Sequence, residues 1–498
     1  MASAVDFGRL GLGFAAAVAA AIFLWFGTGL QPLWPLTWLA PLPVLLFANR
    51  ASWLGAAVVA GAAWSLGNLN TWHYLHGVVA LPLPVLLSMI ASAALVFVMA
   101  VLLYRTLLRR GHFWMAVMAV PATGVSFEYL SSSLSVHGTY GNLAYSQLAF
   151  LPFLQLASIT GPWGMTFLLL MFPAALAAGL HLRFVAPKQA LRIVGASLGI
   201  TLLVVLLGAV RLGLPAPGQP VKVGLIASDP PTSPDVADEG MAATKLFQTY
   251  ADQAAKLAAD GAQVIVLPEK LAVAVDPDTR DMDRMFQSLA DTTHARIVVG
   301  LIHVSPPLKY NAARVYTPSA PVSTYNKHHM LPPFESNLEP GTALTLLPEP
   351  SGTWGVAICK DMDFTQLGRE YGQAGAGLML VPAWDFNLDR ISHGHMAVMR
   401  GVESGFSIAR AAKGGYLTVS DNRGRILAET TSDSAPFATL LANVPATHDS
   451  TVYMLLGDWF AWLTLGVLAF ALVQVVRSQF APSVELGSGS NIRRLSDT

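Results

Sequence analysis

Cysteine is almost absent from this chain: Cys359 is the only one among 498 residues, which excludes an intramolecular disulfide. Charge is scarce as well. Asp, Glu, Lys and Arg make up 12% of the residues and the formal net charge is zero, so nothing electrostatic points to a nucleic-acid partner. Glycine-rich phosphate loops are missing. His328 and His329 are adjacent and cannot face one ion from a single helix face, and no carboxylate-histidine cluster accompanies them, so neither a metal nor another cofactor is expected. His393 and His395 are read as facing solvent or a helix neighbour.

What the chain has instead is apolar residues, 53% of the total, with a positive mean hydropathy. That is outside the usual range for a soluble protein. Seven apolar stretches of spanning length, at about 10–27, 33–48, 53–70, 81–104, 112–130, 152–180 and 193–212, precede an ordinary globular composition, and an eighth covers about 455–476. The first is read as an uncleaved anchor, because no convincing small-residue cleavage site follows it and another span comes at once. Prolines inside the stretches, Pro35, Pro41, Pro43, Pro82, Pro84 and Pro121, are tolerated where neighbouring helices cover the backbone. With the N-terminus inside, Arg9, Arg50, Arg105, Arg109, Arg110, Arg183, Lys188, Arg192, Arg477, Arg493 and Arg494 all fall on the cytoplasmic side. The opposite loops, around 28–32, 71–80 and 131–151, carry no Lys or Arg, as the positive-inside rule requires.

This topology predicts a membrane domain over 1–214, a globular domain outside the cytoplasmic membrane over 220–446, an eighth helix over 455–477 and a disordered cytoplasmic tail over 478–498. The linker Leu214-Pro-Ala-Pro-Gly-Gln-Pro220 marks the boundary. Beyond it, strand and helix patterns alternate: VKVGLIAS, a helix from about Met241 to Ala259, QVIVLP, a helix near Arg280 to His294, and RIVVGLIHV. Short strands follow at about 310–317, 322–326, 343–347 and 353–358, then GLMLVPAW, a helix from about Ile391 to Ser404, and FSIARAA, GYLTVSD, RILAE and ATLLANV. So many strands with few helices predict two packed sheets covered by helices.

Three of these strands end in reactive side chains. The run through Trp354, Val356 and Ile358 delivers Cys359 to the point where the pattern turns polar at Lys360 and Asp361; Glu269 closes QVIVLPE and Lys327 closes VSTYNK. Glu269 is placed to deprotonate the thiol and Lys327 to hold a developing oxyanion, with the backbone N–H of Lys360 as a second donor, which reads as an acyl-transfer site. Lys327 and Lys360 are expected to favour the thiolate. Asp385, in PAWDF, is a candidate pocket residue with Trp384 beside it, and Glu128 is a carboxylate near the end of the fifth span that must be paired or wet. The loops near 328–342 and 384–394, with Met330, Leu331, Phe334, Trp384 and Phe386, are expected to dip into the membrane interface and gate access.

The order LPEK, YNKHHMLPPFES, ICKDMDF, then HMAVMRGVESGFSIARAAKGGYLTVSDNRGRI resembles the nitrilase superfamily. FEYL at 127–130 and GNLAYSQLAFLPFLQLASITGPWGMTFLL at 141–169 are similar to its membrane-embedded branch, the apolipoprotein N-acyltransferases. The resemblance implies an eight-span α-helical membrane bundle plus an α/β nitrilase-like αββα sandwich. It also implies a catalytic Glu269, Lys327 and Cys359, a supporting Glu335 in PPFES, and substrate-binding positions around Asp361. Where that family usually has Gln-Gly-Asn on the first strand, this chain has Ala227-Ser228-Asp229-Pro230; where it has Tyr-Glu after the nucleophile, this chain has Lys360-Asp361; and Phe334-Glu335 follows an extra proline in place of Phe-Gly-Glu.

By the resemblance, an acyl chain passes from a phospholipid through a Cys359 thioester to the N-terminal amine of a diacylglyceryl-cysteine lipoprotein, in a bacterial inner membrane. The departures leave the acceptor open: water makes the chain a membrane-tethered amidase, and another amine makes it a different acyltransferase. A transporter or receptor with an inactive nitrilase-like sensor is the alternative of another class, and spans with almost no ionisable residue beyond Glu128 count against it.

Overall fold

The computed structural model describes residues 7–215, 219–229 and 237–480. The middle of the linker, Pro230, and the tail with Arg493 and Arg494 lie outside the described residues. Among the described residues six helices are long and apolar enough to cross a membrane. They are Phe7–Gly27, Leu83–Arg109, Phe113–Leu134, Pro162–Leu182, Pro187–Gly213 and Trp459–Phe480. The other two predicted spans differ in form. Stretch 33–48 splits into Trp34–Thr37 and Leu42–Ala48, with Pro41 at the start of the second piece, and 53–70 is a helix only over Trp53–Gly67. Proline's missing N–H and fixed φ account for the first break. Elsewhere proline stays inside a long helix, at Pro121 and Pro173, where the helix is buried among its neighbours. By length and composition, six of the eight predicted stretches form single helices long enough to span, among the described residues.

The globular domain is two sheets face to face. The first runs Ala438–Pro445, Pro220–Ala227, Val264–Val266, Arg296–Ser305, Leu308–Tyr316, Ser323–Asn326, with Val273–Val275 beside Arg296–Ser305. The second runs Ile426–Thr431, Tyr416–Ser420, Ser407–Lys413, Ala376–Trp384, Thr353–Val356, Thr345–Leu347. The period-2 alternation of a strand divides its side chains between two cores. Val264 and Val266 enter the core between the sheets, while Ile265 packs outward with Phe247 and Phe286 of helices Gly240–Ala259 and Thr279–Thr293. On the far side, helix Arg390–Ser404 covers the second sheet with Ala397 and presents Met399 and Val402 to the core of the membrane bundle. The layers are thus helix, sheet, sheet, helix, and the last of them is seated on the membrane helices. Strand Val273–Val275 and helix Thr365–Gln373 are the elements the sequence pattern did not resolve.

In both sheets the central strands are parallel: Pro220–Ala227, Val264–Val266 and Arg296–Ser305 in one, Thr353–Val356, Ala376–Trp384 and Ser407–Lys413 in the other. Parallel strands present their carboxyl ends to one edge, and open α/β sheets gather their ligands there.

Candidate active site

Glu269, Cys359, Trp384 and Lys413 all lie at or just beyond the carboxyl end of one of these parallel strands. The strands stop earlier than the pattern implied. Glu269 comes three residues after Val264–Val266, and Cys359 opens the turn Cys359–Asp363 three residues after Val356, while Lys327 does follow directly on Ser323–Asn326. Cys359 has φ 43°, a left-handed conformation that costs a β-carbon residue energy and is kept where the surroundings over-determine it. Asp361 does so here. Its buried carboxylate accepts from Ile358 N–H at 3.0 Å, Tyr325 Oη at 2.7 Å and the N–H groups of His328 and His329 at 3.2 and 2.9 Å. One carboxylate therefore ties the cysteine turn to the segment that follows Lys327. Gly300 makes room on the other side, since a Cβ there would lie 2.7 Å from Glu269 Cα.

The polar centre is a closed network. Lys327 Nζ donates to Glu269 Oε1 at 2.7 Å and to Glu335 Oε2 at 2.8 Å, and Asn311 Nδ2 bridges the same two carboxylates at 2.6 and 2.7 Å. Lys270 Nζ stands 3.3 Å from Glu335, and Leu331 N–H donates to it at 2.8 Å. Glu269, Lys327 and Glu335 are each 1% exposed, a burial tolerated by ions only when paired and hydrogen-bonded. Burial opposes the Lys327 ammonium, but Glu269 and Glu335 outweigh it and hold its pKa well above the ordinary lysine value. Burial likewise opposes the Glu335 carboxylate, and Lys327 and Lys270 overcome it, bringing Glu335 down to about 2. The thiol goes the other way from the expectation. Burial pushes Cys359 well up and Glu269 adds to it, more than Lys327 and Arg410 offset, so the resting group is a thiol. Its Sγ donates to the Trp384 carbonyl at 3.6 Å.

A cavity of about 670 Å³ joins this centre to the membrane bundle. Glu269, Lys327, Glu335, Cys359, Lys360 and Trp384 line one end of it, and Leu86, Phe97, Val120 and Glu128 belong to its membrane part. Glu128 Oε1 accepts from Leu143 N–H at 2.7 Å. Asp361 and Asp385 do not reach the cavity: the first sits beneath the cysteine turn, and the second is buried in a bidentate pair with Arg410, at 2.8 and 2.5 Å. Lys360 Nζ lies 3.2 Å from His137 Nδ1 and 3.5 Å from Asp363. Burial and the Lys360 charge hold His137 down at about 4, so it meets the ammonium as a neutral acceptor.

Sequence reasoning missed four participants. Asn311 lies within an unremarkable strand, and Lys270 and Lys413 read as ordinary charges; Lys413 Nζ donates to the Lys270 carbonyl at 3.0 Å and stands 3.4 Å over the Trp384 ring, with burial and then Lys270 bringing it down to about 7. His393, read as facing solvent or a helix neighbour, takes the helix neighbour Asp389. It lines the cavity, 3.0 Å from Asp389. Of the residues expected to gate access, Phe334 and Phe386 pack against Tyr74, Leu75 and Leu86 of the membrane domain; Met330 is not among the residues that line the cavity.

A strand-end Glu, Lys and Cys thus meet on a two-sheet domain seated on apolar helices. The carbon-nitrogen hydrolase family model matches residues 237–449, and the model for the apolipoprotein N-acyltransferase N-terminal domain matches residues 19–175. Between them the two models take in most of the chain, which is similar to apolipoprotein N-acyltransferases along most of its length. It is 28% identical over 478 residues to the apolipoprotein N-acyltransferase of Geobacter metallireducens, covering 86% of this chain and 88% of that one. It is 25% identical over 496 residues to that of Vibrio parahaemolyticus, covering 88% and 92%. Among solved structures, an amidase from Nesterenkonia sp. is 20% identical and covers 47% of this chain and 93% of its own, with a TM-score of 0.39.

Proposed function

We propose that this acyltransferase works through Cys359, moving a fatty acyl chain from a phospholipid to the N-terminal amine of a diacylglyceryl-cysteine lipoprotein. The Cys359 thiol gives its proton to Glu269 as Sγ attacks the ester carbonyl. Lys327 Nζ and the Lys360 N–H, which has no partner inside its own turn, take the negative charge on the carbonyl oxygen. Collapse breaks the ester C–O bond, Glu269 returns the proton to the departing alkoxide, and lyso-phospholipid leaves with a thioester on Cys359. The acceptor amine then attacks that thioester, Glu269 accepts its proton, and the thiolate recovers the proton as the amide forms. Glu335 and Asn311 position Lys327 and Glu269 without touching the reacting atoms.

The observation that carries this reading is the single cavity shared by Cys359, Glu269, Lys327 and the interior of the membrane helices, because a lipid ester reaches the sulfur there without its chains entering water. A thiol held neutral beside a carboxylate supports Glu269 as the base in the attacking step, rather than a standing thiolate. The orientation we propose puts the globular domain outside the bacterial inner membrane. In its favour, the Lys/Arg-free loops supply Tyr74, His137 and Thr139 to contacts with that domain, whereas Arg105 and Arg110 gather with Ala51 and Val475 away from it. The test is the intact mass of purified protein incubated with phospholipid vesicles. Wild type is expected to gain one fatty-acyl mass and Cys359→Ala none; an adduct that survives in Cys359→Ala would remove Cys359 from the reaction.

A further inference from the structure

The cavity does not stop at the polar centre. It continues down the bundle to Ala100 and Val120, and its lower lining is tightly buried: Phe97 is 4% exposed, Ala100 2%, Val120 1% and Leu170 4%. At about 1.5 Å per residue, Ala100 lies about 25 Å along the helix from Leu83, and Val120 about 21 Å from Leu134. The upper lining is open by contrast, with Val85 at 45% and Leu134 at 87% exposure. The space is a blind shaft, reactive at the top and closed at the bottom.

Its depth identifies an occupant. One leaflet of a bilayer core is about 15 Å thick, so a fatty chain drawn from that leaflet reaches the level of Gly124, about 15 Å along the helix from Leu134, while keeping its depth in the membrane. The walls are aliphatic, including Leu86, Ile90 and Ala93. The floor is built from two rigid contacts. Trp64 stacks on Phe97 with ring centroids 3.8 Å apart, and the Leu170 tip occupies the notch of Gly124, where a Cβ would lie 2.4 Å from Leu170 Cδ1. Side-chain volume added at Gly124 must displace Leu170, and both residues line the cavity.

We infer that this shaft holds the acyl chain of the Cys359 thioester and that its floor at Gly124 and Leu170 limits the chain length the protein accepts. The inference rests on the proposed acyl-enzyme and adds a selectivity that acyl transfer alone does not require. Each methylene excluded from the shaft forfeits about 0.8 kcal/mol of apolar burial, so raising the floor acts on long chains and spares short ones.

The experiment incubates full-length protein with an equimolar mixture of phosphatidylethanolamines, each bearing two identical saturated chains from lauroyl to arachidoyl, and reads the adduct masses. Gly124→Leu is expected to lower the stearoyl-to-lauroyl adduct ratio by at least about tenfold, and Leu170→Ala to raise the arachidoyl share. Damage to folding lowers all adducts together and leaves the ratios alone, and the two substitutions are expected to move the ratios in opposite directions. Wild-type ratios in both variants would overturn the inference while leaving the acyl-enzyme standing. A wild-type protein that takes no acyl group from any of these lipids would overturn the reaction reading, and this inference with it.

Discussion

Lys327 is the residue on which the polar centre balances. It is bonded to both Glu269 and Glu335, and it is held far above the ordinary lysine pKa, so it remains an ammonium across the physiological range. Its substitution removes the proposed oxyanion donor and leaves two buried carboxylates facing Asn311, Lys270 and the Leu331 N–H without their shared ammonium. Breaking a buried ion pair from one side costs about 3–5 kcal/mol. Lys327→Met is therefore expected to lose the acyl adduct and to unfold at a clearly lower temperature in detergent, whereas Cys359→Ala loses the adduct and keeps the wild-type midpoint. A Lys327→Met protein that melts with wild type would contradict the network as described. That Glu269, Lys327 and Cys359 come to one place was legible in the sequence, because each follows a strand pattern. The resting state of the thiol was not, because burial and the orientation of Glu269 are products of tertiary packing.

At the scale of elements, the segment Trp384–Asp389 is held from the membrane side. Tyr74 Oη donates to Asp389 Oδ2 at 2.6 Å, Phe386 N–H donates to Asp389 Oδ1 at 2.8 Å, and His393 Nδ1 lies 3.0 Å from Asp389 Oδ2. The same segment supplies the carbonyl that accepts from Cys359 Sγ, so this latch fixes the thiol as well as the domain. Burial pushes the His393 imidazolium down, but the Asp389 charge and hydrogen bond outweigh it and raise the pKa from 6.5 to about 9. A raised pKa means the stability is fully present below 6.5 and is lost as pH rises through about 9. His393→Gln is expected to melt lower than wild type near pH 6, with the gap closing towards pH 9. A gap that stays constant over that window would contradict the latch. Nothing local foretold it, since Tyr74 and Asp389 are 315 residues apart. The left-handed turn at Cys359 was equally silent, because glycine or asparagine usually marks that conformation and neither is there.

For the molecule as a whole, hydropathy was enough to separate the apolar helices from the globular part, and strand alternation was enough for the two sheets. They did not show that proline breaks the stretch 33–48, or that the bundle is hollow, since a cavity arises from how helices pack and leaves no period in any one of them. The proposed orientation is checked in a Cys359→Ala background, with one new cysteine on each side. Gln248→Cys is expected to react with an impermeant maleimide in intact spheroplasts and Lys188→Cys only after permeabilisation; the reverse pattern would invert the topology. In the proposed reaction both halves serve one act, the transfer of an acyl group held on sulfur, and that act is open to direct observation. Isolated acyl-enzyme is mixed with a diacylated lipopeptide and both masses are followed. The account predicts that the protein loses one acyl mass as the peptide gains it, faster than the protein loses it in buffer alone. Release of the same acyl group as free fatty acid, at the buffer rate and with the peptide mass unchanged, would contradict it.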